Sequence, residues 1–168
     1  MGGLAYLGSG VRSKFSIKVY AVAVYCNDKT KVSSRARTIA PPARPQILSN
    51  VTGHTTPQLL DPSTEKTIRV VMARNLGQSK FFAGLRAGVT PRMNGSDLSK
   101  IDDFIALNPP GDFKAGDVVT MALSSGCMHF TSSLGADGKV ESEAFCEAMA
   151  DLYLGDDPVS PALKEALK

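Results

Sequence analysis

The chain has 168 residues, 43% of them hydrophobic and 21% charged, the length and balance of one globular domain that buries about 70% of its unfolded surface without metal or disulfide staples. Disorder and collagen-like structure are excluded, and no apolar run approaches the roughly 20 residues that cross a bilayer or forms the core of a secretory signal. The net charge of +3, with no RNP-like, zinc-finger or helix-turn-helix pattern, argues against nucleic acid as a partner.

In chain order, Phe15 to Tyr25 (FSIKVYAVAVY) is rich in Val, Tyr and Ile and reads as a central strand. Residues 28–64 are punctuated by Pro41, Pro42, Pro45, Pro57 and Pro62, so helix forms there only in short pieces and the segment reads as loop-rich packing or a lid. Thr67 to Arg74 (TIRVVMAR) reads as a second strand. A helix over Lys80–Gly88 follows, with Ser79 as N-cap and Gly88 closing its end. Leu98, Ile101, Phe104 and Ile105 then mark an amphipathic helix stopped by Pro109 and Pro110. Asp117–Leu123 and Met128–Leu134 are strand candidates around Ser124-Ser125-Gly126, and Asp137-Gly138 is a hairpin signal leading into Lys139 and Val140. The end of the chain turns helical: Ser142 caps EAFCEAMADLYL, with Phe145, Met149 and Leu152 on one face and Gly155 at its end, and Ser160-Pro161 opens a last short helix. Strands and helices are grouped rather than strictly alternating, which predicts a single α+β domain over residues 1–168: an antiparallel sheet with helices on one face.

Familiar catalytic signatures are missing. There is no GxSxG, no GxxxxGK[ST] and no HExxH, and His54 and His129 lie in separate segments without companions at ligand spacing, so neither metal nor cofactor is expected. His129 reads as a strand histidine facing solvent or a polar core group. Cys26, Cys127 and Cys146 are an odd count with no CxxC spacing, which predicts reduced thiols in an intracellular compartment, a plastid included if a transit peptide is trimmed away. All three sit in apolar stretches that do not activate a nucleophile. Arg35, Arg37 and Arg44 form a basic cluster that is either an anion site or, the favoured reading, a solvated loop face.

The informative pair is Arg12 and Tyr20. Their even spacing places both on one face of an extended strand if no bulge intervenes, and Val22 and Val24 continue that face as apolar. A carboxylate-headed lipid needs that arrangement: arginine supplies a charge-assisted pair, the phenol a hydrogen bond, and the alkyl chain lies along aliphatic and aromatic side chains. Burying an ionised carboxylate without partners costs several kcal/mol, whereas each buried CH2 contributes about 0.8 kcal/mol. Spacing alone weighs this equally with a surface arginine and a core tyrosine.

GVRSKFSIKVYAVAVY, EKTIRVVMARNL and EAMADLYLGDDPVSPALK, with Gly155, Val159, Ser160 and Pro161 in a Gly-x-x-x-Val-Ser-Pro pattern, resemble the chalcone isomerase superfamily over most of the chain. The resemblance implies an open-faced β-sandwich, a large antiparallel sheet with a helical layer and a ligand cleft between them. The superfamily holds chalcone-flavanone isomerases, non-catalytic fatty-acid-binding proteins and inactive isomerase-like partner proteins. Arg12 matches the isomerase arginine, whereas Tyr20 stands where an isomerase threonine falls and resembles the fatty-acid-binding branch. Lys80, Phe81 and Phe82 replace the expected tyrosine, Gly88 lies near the expected asparagine, and Cys146 takes a late-helix position of serine or threonine. The resemblance therefore implies a monomer that binds a fatty acid or similar carboxylate through Arg12 and Tyr20. Val22, Val24, Phe81, Phe82, Cys146, Met149 and Leu152 would line its cleft. The alternatives are an isomerase using Arg12 and Tyr20 to stabilise an oxyanion, and a non-catalytic partner protein.

Overall fold

The structure, a computed structural model, describes residues 4–27 and 59–168. The expectations for Arg35, Arg37, Arg44, His54 and most of the proline-rich segment lie outside the described residues.

Six strands, β1 (Leu4–Lys14), β2 (Ile17–Asn27), β3 (Lys66–Met72), β4 (Val118–Ser124), β5 (Cys127–Ser132) and β6 (Asp137–Glu141), form one antiparallel sheet in chain order. Strict alternation makes one face of this sheet the core. Tyr20, Val22, Val24 and Cys26 on β2 are buried while the residues between them keep partial exposure, and Ile68, Val70 and Met72 on β3 and Val119, Met121 and Leu123 on β4 repeat the pattern.

Against this face lie α1 (Gln78–Val89), which continues into a 3-10 turn at Thr90–Met93, then α2 (Ser99–Ala106) and α3 (Glu143–Leu154). They contribute Phe81, Phe82, Leu85, Ile101, Phe104, Phe145, Met149 and Leu152 to the interior, each such side chain stabilising by about 1.5–3 kcal/mol when fully buried. A final short helix, α4 (Pro161–Ala166), packs on β1. The architecture is an α+β open-faced sandwich.

Ser142 and Ser160 cap α3 and α4 through their hydroxyls as expected, accepting from the backbone N–H of Phe145 and Leu163. Gly155 terminates α3, and here the reason is space: a Cβ would meet Asp151 Oδ1 at 2.1 Å and the Asp151 carbonyl oxygen at 2.5 Å. The Val159 N–H then donates to the Leu152 carbonyl at 2.9 Å, so the Gly-x-x-x-Val-Ser-Pro run is a tight corner that turns α4 back onto the sheet.

Several local expectations are corrected. The segment before Phe15 is itself a strand, β1, and β2 begins at Ile17; Phe15 and Ser16 are the two-residue turn joining them, at φ 52° and 64°. Helix α1 starts at Gln78 with Gly77 at the N-cap position, so Ser79 caps nothing; its first amide donates to Asp112 Oδ1 at 2.9 Å, a carboxylate 34 residues away. Gly88 does not close that helix, which runs one residue further to Val89; its bare backbone lies over Leu152. Asp137 and Gly138 are already in β6, because the preceding turn is made at residues 132–136, where the Ser132 N–H donates to the Ala136 carbonyl at 3.0 Å.

Candidate functional site

Arg12 and Tyr20 do meet, but not along one strand. Arg12 is on β1 and Tyr20 on β2, directly opposite each other in the antiparallel register. The tight turn at Phe15-Ser16, with a register shift between Arg12 and Ser13, sets them side by side. The two side chains are therefore neighbours across a strand pair, and not along one strand as the even spacing suggested. The guanidinium carbon lies 5.9 Å from the centroid of the Tyr20 ring, within cation–π range.

What holds Arg12 on the inner face is the glycine pair before it. Gly8 and Gly10 share its side of β1 and carry α4: a Cβ on Gly10 would sit 2.1 Å from the Leu163 nitrogen, and one on Gly8 3.0 Å from Leu167 Cδ2. Arg12 is next in that row, beyond the first turn of the helix, and remains half-buried.

Facing this pair from the last turn of α3 is Tyr153, which sequence reasoning missed. It is completely buried, and its hydroxyl makes no hydrogen bond: it faces the Tyr20 phenol without reaching hydrogen-bond geometry. The signal was available. Phe145, Met149 and Tyr153 fall at i, i+4 and i+8 of one helix face, and a hydroxyl at the end of an apolar stripe requires a partner.

Burial raises the pKa of Tyr20 despite the opposing effect of Arg12, and burial next to Tyr20 raises that of Tyr153 much further. Both phenols are thus neutral donors at physiological pH. One guanidinium and two phenolic hydroxyls converge, which is a donor set suited to an anionic oxygen group.

Of the other expected lining residues, Phe81 packs edge-on against Tyr20 at 6.3 Å between ring centroids. Val22 and Val24 follow Tyr20 along the inner face of β2. Phe82 is one ring further on, against Phe81, Phe104 and Phe113, and Leu152 sits under Gly88. Met149 is fully buried on α3.

Cys146 belongs to the far end of the sheet. It borders, with Lys66, a hollow of about 10 Å³, and burial pushes its thiol up to about 11, which leaves it protonated and unreactive at neutral pH. Lys66 is itself buried, its ammonium donating to the carbonyls of Asp61 at 3.0 Å and Thr64 at 3.2 Å. Burial lowers its pKa, and the two carbonyls make it a clamp on the 61–64 turn. His129 is exposed and paired with Asp137 at 2.6 Å. A groove of about 620 Å³ runs on the outside between α1 and α2, bordered by Phe82, Arg86 and Ile105.

The family model for chalcone isomerase-like proteins matches residues 49–167. The chain belongs to this chalcone isomerase-like family. Among solved structures, its fold is similar to that of a fatty-acid binding protein of Arabidopsis thaliana, with a TM-score of 0.69 and 20% sequence identity over 98% of this chain and 86% of that one. Sequence comparison with curated proteins gives no match. No helix among the described residues is long and apolar enough to cross a membrane.

Proposed function

We propose that this protein binds a fatty acid or similar amphipathic carboxylate without transforming it. Arg12, Tyr20 and Tyr153 hold the head group, and the tail runs between sheet and helices. The observation that carries this reading is the Tyr153 hydroxyl, sealed from water and set against the Tyr20 phenol without a well-formed hydrogen bond. A buried hydroxyl without a well-formed hydrogen bond costs up to about 1–3 kcal/mol, and a carboxylate oxygen set between it and the Arg12 guanidinium removes that cost while the charge-assisted pair offsets the hydration that the carboxylate gives up.

The likeness in fold to a fatty-acid binding protein supports the same ligand class. So does Phe81: an aromatic ring against Tyr20 offers a tail apolar surface and offers a ketone no polarising group.

The tail's path along Val22 and Val24 is filled by side chains, and the character of those side chains is what makes it penetrable. Met72, which is paired with Tyr20 across the ladder, is buried, and Met93, Met121, Met128 and Met149 are buried elsewhere in the same core. Methionine is unbranched and polarizable and repacks around a guest at small cost. The inner face of β2 from Tyr20 to Cys26 extends about 20 Å, long enough for the tail of a long-chain acid.

The test is native mass spectrometry, with lipid extraction, of protein purified from an expression host. Co-purified fatty acid is expected on the native chain, and Arg12→Ala should lose most of it. Equal occupancy in that variant would remove the head-group assignment.

A further inference from the structure

We propose that the tip of the β1–β2 hairpin docks on an anionic lipid surface. Among the described residues six large hydrophobic side chains are exposed, and five of them lie on this hairpin and its turn. The extreme case is Phe15, 86% exposed at the apex, with Ile17 beside it at 50%; Leu4 and Tyr6 lie at the opposite end of the hairpin. An aromatic ring at the far point of a turn, with an aliphatic side chain beside it, is apolar surface placed where it touches whatever the molecule meets first.

The backbone there is strained to keep it so. Phe15 and Ser16 occupy φ 52° and 64°, the left-handed conformation that a two-residue hairpin turn demands and that Asn-Gly would fill with ease. A bulky aromatic in that conformation is unusual, and strain of this kind collects at sites where a side chain has work to do.

Charge chooses the partner. Lys14 and Lys18 flank the tip, with Arg12 behind them on the inner face, and residues 4–27 contain no Asp or Glu. The remaining 16 Lys and Arg of the chain equal its 16 Asp and Glu, so the net charge of +3 is the charge of this hairpin. The Lys14 ammonium lies 5.7 Å from the Phe15 ring centroid, which places cation and aromatic at one level. That combination suits the boundary between phosphate head groups and acyl chains: the ring enters the apolar layer and the lysines remain among anionic phosphates. An acidic protein surface would satisfy the lysines and leave Phe15 without an apolar layer to enter.

The inference goes beyond the ligand reading and is tested without any fatty acid. The chain contains no tryptophan and four tyrosines, so Phe15→Trp supplies a single tryptophan at the tip, whose emission is read by excitation beyond the tyrosine band. It is mixed with vesicles of phosphatidylcholine with and without phosphatidylserine. A blue shift of emission on the anionic vesicles is expected, absent on phosphatidylcholine alone and reversed by salt. Adding Lys14→Gln and Lys18→Gln should weaken the association by roughly tenfold or more. Leu98→Trp, at the 40% exposed residue preceding α2, is the control and should show no shift. An unshifted Phe15→Trp, an equal shift for Leu98→Trp, indifference to the lysine changes, or Phe15-dependent capture of an acidic protein with no vesicle response would each overturn the proposal.

Discussion

Tyr153 joins stability and binding in one atom. Its hydroxyl is buried without a hydrogen bond, so Tyr153→Phe removes an unsatisfied donor and keeps the ring that fills the core. The expected result is a ligand-free protein as stable as the parent or more stable by about 1 kcal/mol, read from urea unfolding. The same variant should bind a fatty acid several-fold more weakly, read from a titration. A destabilised variant with unchanged binding would mean that the hydroxyl serves the fold. At this scale the sequence was partly legible. Arg12 and Tyr20 could be singled out by residue type, whereas Tyr153 passed as one more core aromatic: the stripe of Phe145, Met149 and Tyr153 signalled a hydroxyl in need of a partner but not which residues would face it. Cys146, grouped with the site on a family correspondence, stands at the opposite end of β2, beside Lys66.

Among the elements, the seam between β1 and α4 decides where Arg12 stands. Gly10 lies against the backbone of Ala162 and Leu163 with no room for a Cβ, so Gly10→Ala must push the helix away. A cost of about 1–3 kcal/mol is expected, measured by denaturant unfolding. Gly84→Ala, where a Cβ meets nothing within 4 Å, is the control and should be neutral or slightly stabilising. The same seam explains why β1 escaped notice in the sequence. LAYLGSGVRSK has few β-branched residues, a register shift between Tyr6 and Gly8, and an inner face made of glycines, because α4 buries backbone there instead of large side chains. The strands β2 to β5 were legible from their β-branched and aromatic content and the turn residues between them. Helices α3 and α4 were legible from caps carried in their own sequence, while α1 begins where it does because of Asp112, a partner no local pattern contains.

For the molecule as a whole, the net charge and the most exposed aromatic stand at the same corner as the head-group cluster. The hairpin that carries Arg12 also carries the net positive charge and the most exposed aromatic, and its strands lead inward to Tyr20 and Tyr153. The overall class could be read from element order and from the family motifs, and the fold agrees with it. The packing of the interior could not, since alternation marks buried positions without showing whether they leave a channel or close upon one another. The central claim, that a guanidinium and two phenols anchor a carboxylate while a methionine-rich interior yields to its tail, is tested by calorimetric titration with a saturated fatty acid and with the alcohol of equal chain length. The acid should bind the native protein about tenfold to a hundredfold more tightly than the alcohol, as a charge-assisted hydrogen bond requires, and Arg12→Gln should erase the difference. Equal affinities for the two in the native protein, or a preference that survives Arg12→Gln, would contradict it.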